Sequence, residues 1–147
     1  MKAELAKRMM DSFYEARAVL ELQPPLEDGL LPSYIRIIDA IHQLSEKGPV
    51  RVSDISTKLN LPKPGITRSL KQMESLGYVI KKHDDSDART VHVELSDRGL
   101  HAYDKYVVSY YRKLTDVLSD VSEKDLKTTI AMIHDVYQKI RDAHITV

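Results

Sequence analysis

SDISTKLNLPKPGITRSLKQMESLGYVIKKHDDSDARTVHVEL, residues 53–95, is the stretch whose reading decides the fold. Ile55 and Leu59 lie four apart, and Ile66, Leu70 and Met73 follow at i, i+4 and i+7. Each run therefore presents one apolar helix face, and the two faces meet in a shared core. Between them, Asn60-Leu61-Pro62 reads as a stop and a turn. Asn tolerates the left-handed conformation that ends a helix, and Pro64 is preset for the first turn of the next. Gly77 is a second left-handed stop, after which Tyr78 to His83 reads as a strand and Asp84-Asp85-Ser86-Asp87 as turn material. The return strand alternates, with Val91, Val93 and Leu95 on one face and Thr90, His92 and Glu94 on the other. Two helices joined by a short, steep turn and followed by a hairpin make a winged helix-turn-helix, in which the second helix is shaped to enter a DNA major groove.

Outward from this stretch the chain is helical on both sides. Leu5, Met9, Phe13 and Ala16 form the stripe of an amphipathic helix over residues 2–22, ended by Pro24-Pro25. Asp28-Gly29 turns the chain, and Ser33 is expected to cap a helix from Tyr34 to Lys47 whose wide apolar face carries Ile35, Ile37, Ile38, Ile41 and Leu44. Gly48 is placed to end it, Val50-Arg51-Val52 to form a short strand, and Ser53 to cap the first helix of the motif. Beyond the hairpin, Leu100, Tyr103, Val107, Tyr110, Leu114 and Val117 mark one long helix. At roughly 1.5 Å per residue it outruns the winged core. Ser122 to Asp125 then reads as a capping box for a last helix reaching about Asp142, with Leu126, Ile130, Ile133, Tyr137 and Ile140 on its stripe.

The expected fold class is therefore mainly α (α+β). Residues 33–96 form a winged helix-turn-helix region, integrated into a single domain with a helical dimerisation region over 1–32 and 97–147. The first helix and the last two carry apolar stripes outside the motif, and the economical cover for them is the same helices of a second subunit.

Composition narrows the function. A chain of 147 residues, 42% hydrophobic, is long enough and apolar enough for one buried core. It has no membrane-length apolar run and no signal-peptide core, so a cytoplasmic protein with no membrane partner is expected. Without cysteine there is no disulfide, thiolate metal site or thiol switch. Net charge is zero, yet its distribution is uneven: residues 49–92 hold 8 Lys/Arg against 5 Asp/Glu, whereas 1–48 hold 6 against 8 and 93–147 hold 8 against 9. The positive excess coincides with the candidate DNA-binding region. No Gly-rich phosphate loop and no recognisable Ser/His/Asp grouping supports an enzyme.

Within the motif, Thr67, Arg68 and Lys71 lie off the Ile66/Leu70/Met73 face and point outward. Arg68 suits bidentate contact with guanine, Thr67 a thymine methyl or a phosphate, and the start Lys63-Pro64-Gly65 lets backbone N–H groups approach phosphate. Arg89 sits where a wing tip meets a minor groove, with Asp87 expected to pair with and aim a basic side chain, and Lys81 and Lys82 suit phosphates.

In element order and local motifs the chain resembles the MarR family of bacterial transcriptional regulators over essentially its whole length. The most specific parts are Ile66-Thr67-Arg68-Ser69-Leu70 through Leu76-Gly77-Tyr78-Val79, the wing signature Asp87-Ala88-Arg89, and Val93-Glu94-Leu95-Ser96-Asp97-Arg98-Gly99. The resemblance implies a homodimer that binds a palindromic operator in double-stranded DNA, as a ligand-responsive repressor, and that is released or retuned by a small-molecule effector between the dimer helices and the DNA-binding lobes. Where the family often carries a second basic wing residue this chain has Ala88, and its recognition helix starts without the usual Ser/Thr. Base contacts thus fall mainly to Lys63, Thr67, Arg68 and Lys71. An effector pocket would lie where the long helix leaves the lobe, among its tyrosines, with Arg17 or Arg36 as anchor.

Two other readings compete. One is a dimeric helical module whose winged lobe binds a protein partner. The other is a zinc-responsive regulator using Asp97, His101 and Asp104, or His42 and Glu46, which share helix faces. No resident cofactor or metal is expected.

Overall fold

The computed structural model describes residues 1–87 and 89–146, so Ala88 of the wing signature lies outside the described residues. The chain order is α1 (Ala3–Glu21), α2 (Pro32–Ser45), α3 (Val52–Leu59), α4 (Lys63–Ser75), β1 (Val79–His83), β2 (Val91–Leu95), α5 (Asp97–Tyr103), a π-helical turn (Asp104–Ser109), α6 (Tyr110–Val117) and α7 (Glu123–Ala143). No helix among the described residues is long and apolar enough to cross a membrane. The mainly α winged helix-turn-helix architecture is present as expected.

The core is built from the predicted stripes. Ile37, Ile38 and Ile41 of α2, Ile55 of α3, and Ile66, Leu70 and Met73 of α4 are buried together with Tyr78, Val79 and Val93 at the base of the hairpin. Asn60 ends α3 in the left-handed conformation (φ 52°, ψ 47°), and Leu61 N–H returns to the Ser56 carbonyl at 3.1 Å. Gly77 ends α4 the same way (φ 81°), with Tyr78 N–H donating to the Met73 carbonyl at 2.8 Å. The strands pair antiparallel with Val79 opposite Leu95 and His83 opposite Val91.

Three local expectations are corrected. Ser33 does not cap α2, because Pro32 takes the first helical position, where its fixed φ and missing N–H suit the first turn, and Leu31 becomes the N-cap. Ser53 does not cap α3 either. The N-cap falls two residues earlier, at Arg51, and Asp54 reaches back to accept the Arg51 N–H at 2.9 Å. The strand expected at Val50–Val52 shrinks to one bridge, Val50 to Val93, since Val52 is already helical.

The long helix also differs from the expectation of one regular rod. Its middle is wound as a π-helical turn, an inserted residue that periodicity over a stripe of mixed 3 and 4 spacings does not reveal. The helix is tied to the lobe at its start. Ser96 Oγ accepts the Gly99 N–H at 3.1 Å while its own hydroxyl donates to the Gly77 carbonyl. Gly99 is required there because a Cβ would lie 2.2 Å from the Tyr78 carbonyl oxygen.

Candidate nucleic-acid interface

One face of α4 packs and the other is open. Ile66, Leu70 and Met73 are at most 2% exposed, whereas Lys63, Pro64, Thr67, Arg68 and Lys71 are all exposed. Among the described residues no carboxylate pairs with Lys63, Arg68 or Lys71, so their charge is available to a ligand. Gly65 stands in the first turn with nothing within 4 Å of where its Cβ would be, which leaves room for another backbone or a phosphate. The first-turn N–H groups of Lys63 and Gly65 have no intrahelical acceptor and carry the positive end of the helix dipole. The predicted α4 residues are thereby brought onto one surface.

The wing separates its predicted residues into two kinds. Arg89 is exposed at the tip and has no carboxylate on its guanidinium among the described residues. Lys81 and Lys82 are already paired, Lys81 with Glu74 at 3.2 Å and Lys82 with Glu94 at 2.8 Å. Any phosphate they meet must compete with those carboxylates, although the pairs are partly exposed and weak. The Asp87 carboxylate takes the backbone N–H of Arg89 at 2.9 Å and the Thr90 hydroxyl at 3.4 Å. It therefore aims Arg89 through the backbone, not by pairing with a basic side chain as the sequence suggested.

Asp84 and His92 were not singled out from the sequence. Asp84 accepts from Ser86 N–H at 2.9 Å and from the Ser86 hydroxyl at 2.8 Å, and its second oxygen meets His92 Nε2 at 3.2 Å. The backbone hydrogen bond from Ser86, then its hydroxyl and His92, hold the Asp84 carboxyl down at about 2. The available signal was an Asp two residues before a Ser, the pattern of an Asx turn.

Behind the lobe, Tyr78, Glu27, Lys105 and Tyr106 join the α1–α2 connection to the long helix. Tyr78 donates to Glu27 at 3.3 Å, Lys105 to the other Glu27 oxygen at 3.4 Å, and the Glu27 N–H to the Tyr106 hydroxyl at 3.1 Å. Desolvation works to raise the Glu27 carboxyl, but the bonds from Lys105 and Tyr78 outweigh it and the net displacement is downward. Burial pushes the Tyr78 phenol upward. Beside this network, at the side of the long helix, a cavity is lined by Leu26, Ile35, Arg36, Tyr106, Tyr110 and Tyr111. Arg36 lines it and Arg17 does not. Tyr103 instead stacks on His42, with centroids 3.8 Å apart. Among the described residues no three His, Asp or Glu side chains converge as a metal site requires.

A lobe of this build, with an open basic helix beside an exposed wing, defines a winged helix-turn-helix protein. Residues 28–90 match the model of the MarR family. The chain is 26% identical over 114 residues to the HTH-type transcriptional regulator YdgJ of Bacillus subtilis (strain 168), across 78% of this chain and 65% of that protein's length. It is 21% identical over 141 residues to the HTH-type transcriptional repressor YetL of the same organism, across 93% of this chain and 77% of YetL. Streptococcus pneumoniae FabT, solved in complex with DNA, has the same fold, with a TM-score of 0.70 at 19% identity over 97% of this chain and 99% of that one.

Proposed function

We propose that this chain is a cytoplasmic, dimeric transcription regulator that binds a palindromic site in double-stranded DNA and represses from it. The observation that carries the reading is the division of α4 into a buried apolar face and an open face bearing unpaired Lys63, Arg68 and Lys71. In this reading Lys63, Thr67, Arg68 and Lys71 enter the major groove, Pro64 and Gly65 bring the helix start onto phosphate, and Arg89, aimed by Asp87, reaches the minor groove. Lys81 and Lys82 exchange their carboxylate partners for phosphates.

The dimer is built from the helices at the two ends of the chain. None of α1, α6 and α7 buries a side chain within the protomer, and Ile130, Met132, Ile133 and Tyr137 of α7 are between 46% and 67% exposed. A second copy covers these faces and sets residues 1–32 and 97–147 apart as the dimerisation region. A small-molecule effector with an anionic group occupies the cavity beside Arg36, where movement of the long helix reaches the lobe through Tyr106 and Glu27.

Selection of a site from random duplexes tests the reading. Enrichment of a palindrome with half-site centres about 10 bp apart is expected. For about 6 to 10 phosphate contacts, affinity should fall about 10³- to 10⁵-fold between about 50 and about 200 mM salt. Failure to enrich any palindrome, or a flat salt response, overturns it.

A further inference from the structure

The described residues of the wing loop, 84–87 and 89–90, lie between strands that project from the lobe, and two acidic side chains organise their backbone. Asp87 sets the turn before Arg89 and Thr90, and Thr90 N–H in turn donates to the Asp87 carbonyl at 3.0 Å. Asp84 closes the base of the loop, donating its N–H to the Thr90 carbonyl at 2.9 Å while its carboxylate collects Ser86. What ties this loop to the body of the hairpin is His92. It stands on β2 opposite Lys82, its side chain is 15% exposed, and its Nε2 meets Asp84 Oδ2 at 3.2 Å. Its other nitrogen, Nδ1, is sealed from solvent and has no partner among the described residues.

The chemistry of that ring fixes its orientation. Asp84 is ionised at any pH above about 2, so it only accepts, and Nε2 must carry the proton that faces it. The reverse tautomer would bury an unmatched Nδ1–H donor and set two lone pairs against each other across 3.2 Å. A half-buried ring with one permitted tautomer holds Asp84, and through the loop bonds Asp84 holds the backbone that carries Arg89.

We propose that His92 and Asp84 are positioning residues of the wing, a latch that presets the loop so that Arg89 meets the DNA without reordering. This rests on the reading of Arg89 as a wing contact. The expected benefit is that of any preorganised recognition loop, since ordering entropy is spent on folding and not on binding.

Binding titrations of the full chain on a selected duplex test the latch, comparing wild type with Asp84→Asn, His92→Val, His92→Gln, Arg89→Ala and Arg68→Ala. Asp84→Asn keeps an oxygen for Ser86 and loses the acceptor facing His92. Both Asp84→Asn and His92→Val should weaken binding about 3- to 10-fold, whereas His92→Gln, whose amide N–H replaces that of Nε2, should recover most of it. In an Arg89→Ala background, Asp84→Asn should cost less than about twofold, because the group it aims is gone. Nitrogen NMR should find His92 carrying a proton on Nε2.

An undiminished cost of Asp84→Asn in the Arg89→Ala background, or an Nδ1–H tautomer, would overturn the latch, as would wild-type affinity of both Asp84→Asn and His92→Val while Arg89→Ala still weakens binding. If Arg68→Ala and Arg89→Ala both bind like wild type, the DNA interface itself falls, and the latch with it.

Discussion

Two glycines show how a single residue serves packing in one place and access in another. Gly99 is buried where the long helix crosses the start of the wing, and the Tyr78 carbonyl oxygen occupies the space a Cβ would need, at 2.2 Å. Backbone cannot rotate away as a flexible side chain can. Gly99→Ala should therefore lower stability by about 1–3 kcal/mol or more, read as a lower midpoint in chemical denaturation. Gly65 has open space around it, so Gly65→Ala should hold or raise stability, by up to about 1 kcal/mol from helix propensity. It should nonetheless weaken DNA binding if the α4 backbone rests on a phosphate. An unaltered midpoint for Gly99→Ala, or unaltered affinity for Gly65→Ala, would contradict these roles.

At the scale of an element, α4 carries two requirements on opposite faces, and substitution separates them. Leu70 is fully buried, so Leu70→Ala should cost about 2–5 kcal/mol of stability. Arg68 is exposed and outside any ion pair among the described residues, so Arg68→Ala should leave the denaturation midpoint in place. Its cost should appear as about 1–3 kcal/mol of lost discrimination between the selected duplex and one altered at a guanine. A large stability loss for Arg68→Ala, with discrimination intact, would mean that the helix face is structural. The π-helical turn works at the same scale. It places Tyr106 so that the hydroxyl accepts the Glu27 N–H while the ring lines the cavity beside Arg36.

The whole molecule divides into a lobe with a core and helices without one. Among the described residues, all the buried apolar side chains lie between Leu30 and Val107. Outside that span, Met9, Phe13 and Ala16 of α1 and Thr129, Met132, Ile133 and Val136 of α7 line an open apolar groove. Tyr137 of α7 also accepts from the Asn60 side-chain amide at 3.5 Å, in the turn before the recognition helix, so α7 and the DNA-facing lobe are in contact. Putting a charge into this surface, as in Ile133→Glu, should turn a dimer into a monomer by light scattering and reduce affinity for the full palindrome far more than for a half-site. A monomeric wild type would refute the arrangement.

How much of this was legible in the sequence follows from the range of the interactions involved. Apolar stripes, the Asn60 and Gly77 stops and the alternating return strand are local patterns, and each appears where expected because its period or backbone preference is a property of consecutive residues. The outward set of Arg68 and Lys71 follows from that same helical period. The caps at Ser33 and Ser53 were misread because several candidates within a turn compete for the same N–H groups, and tertiary placement of the chain chooses among them. What only the tertiary structure decided were contacts between distant residues: which wing lysines are already paired, the seat of Arg36 on the cavity, the requirement for Gly99, and the meeting of His92 with Asp84. These depend on how elements are juxtaposed, and no periodicity along the chain encodes a distance across it.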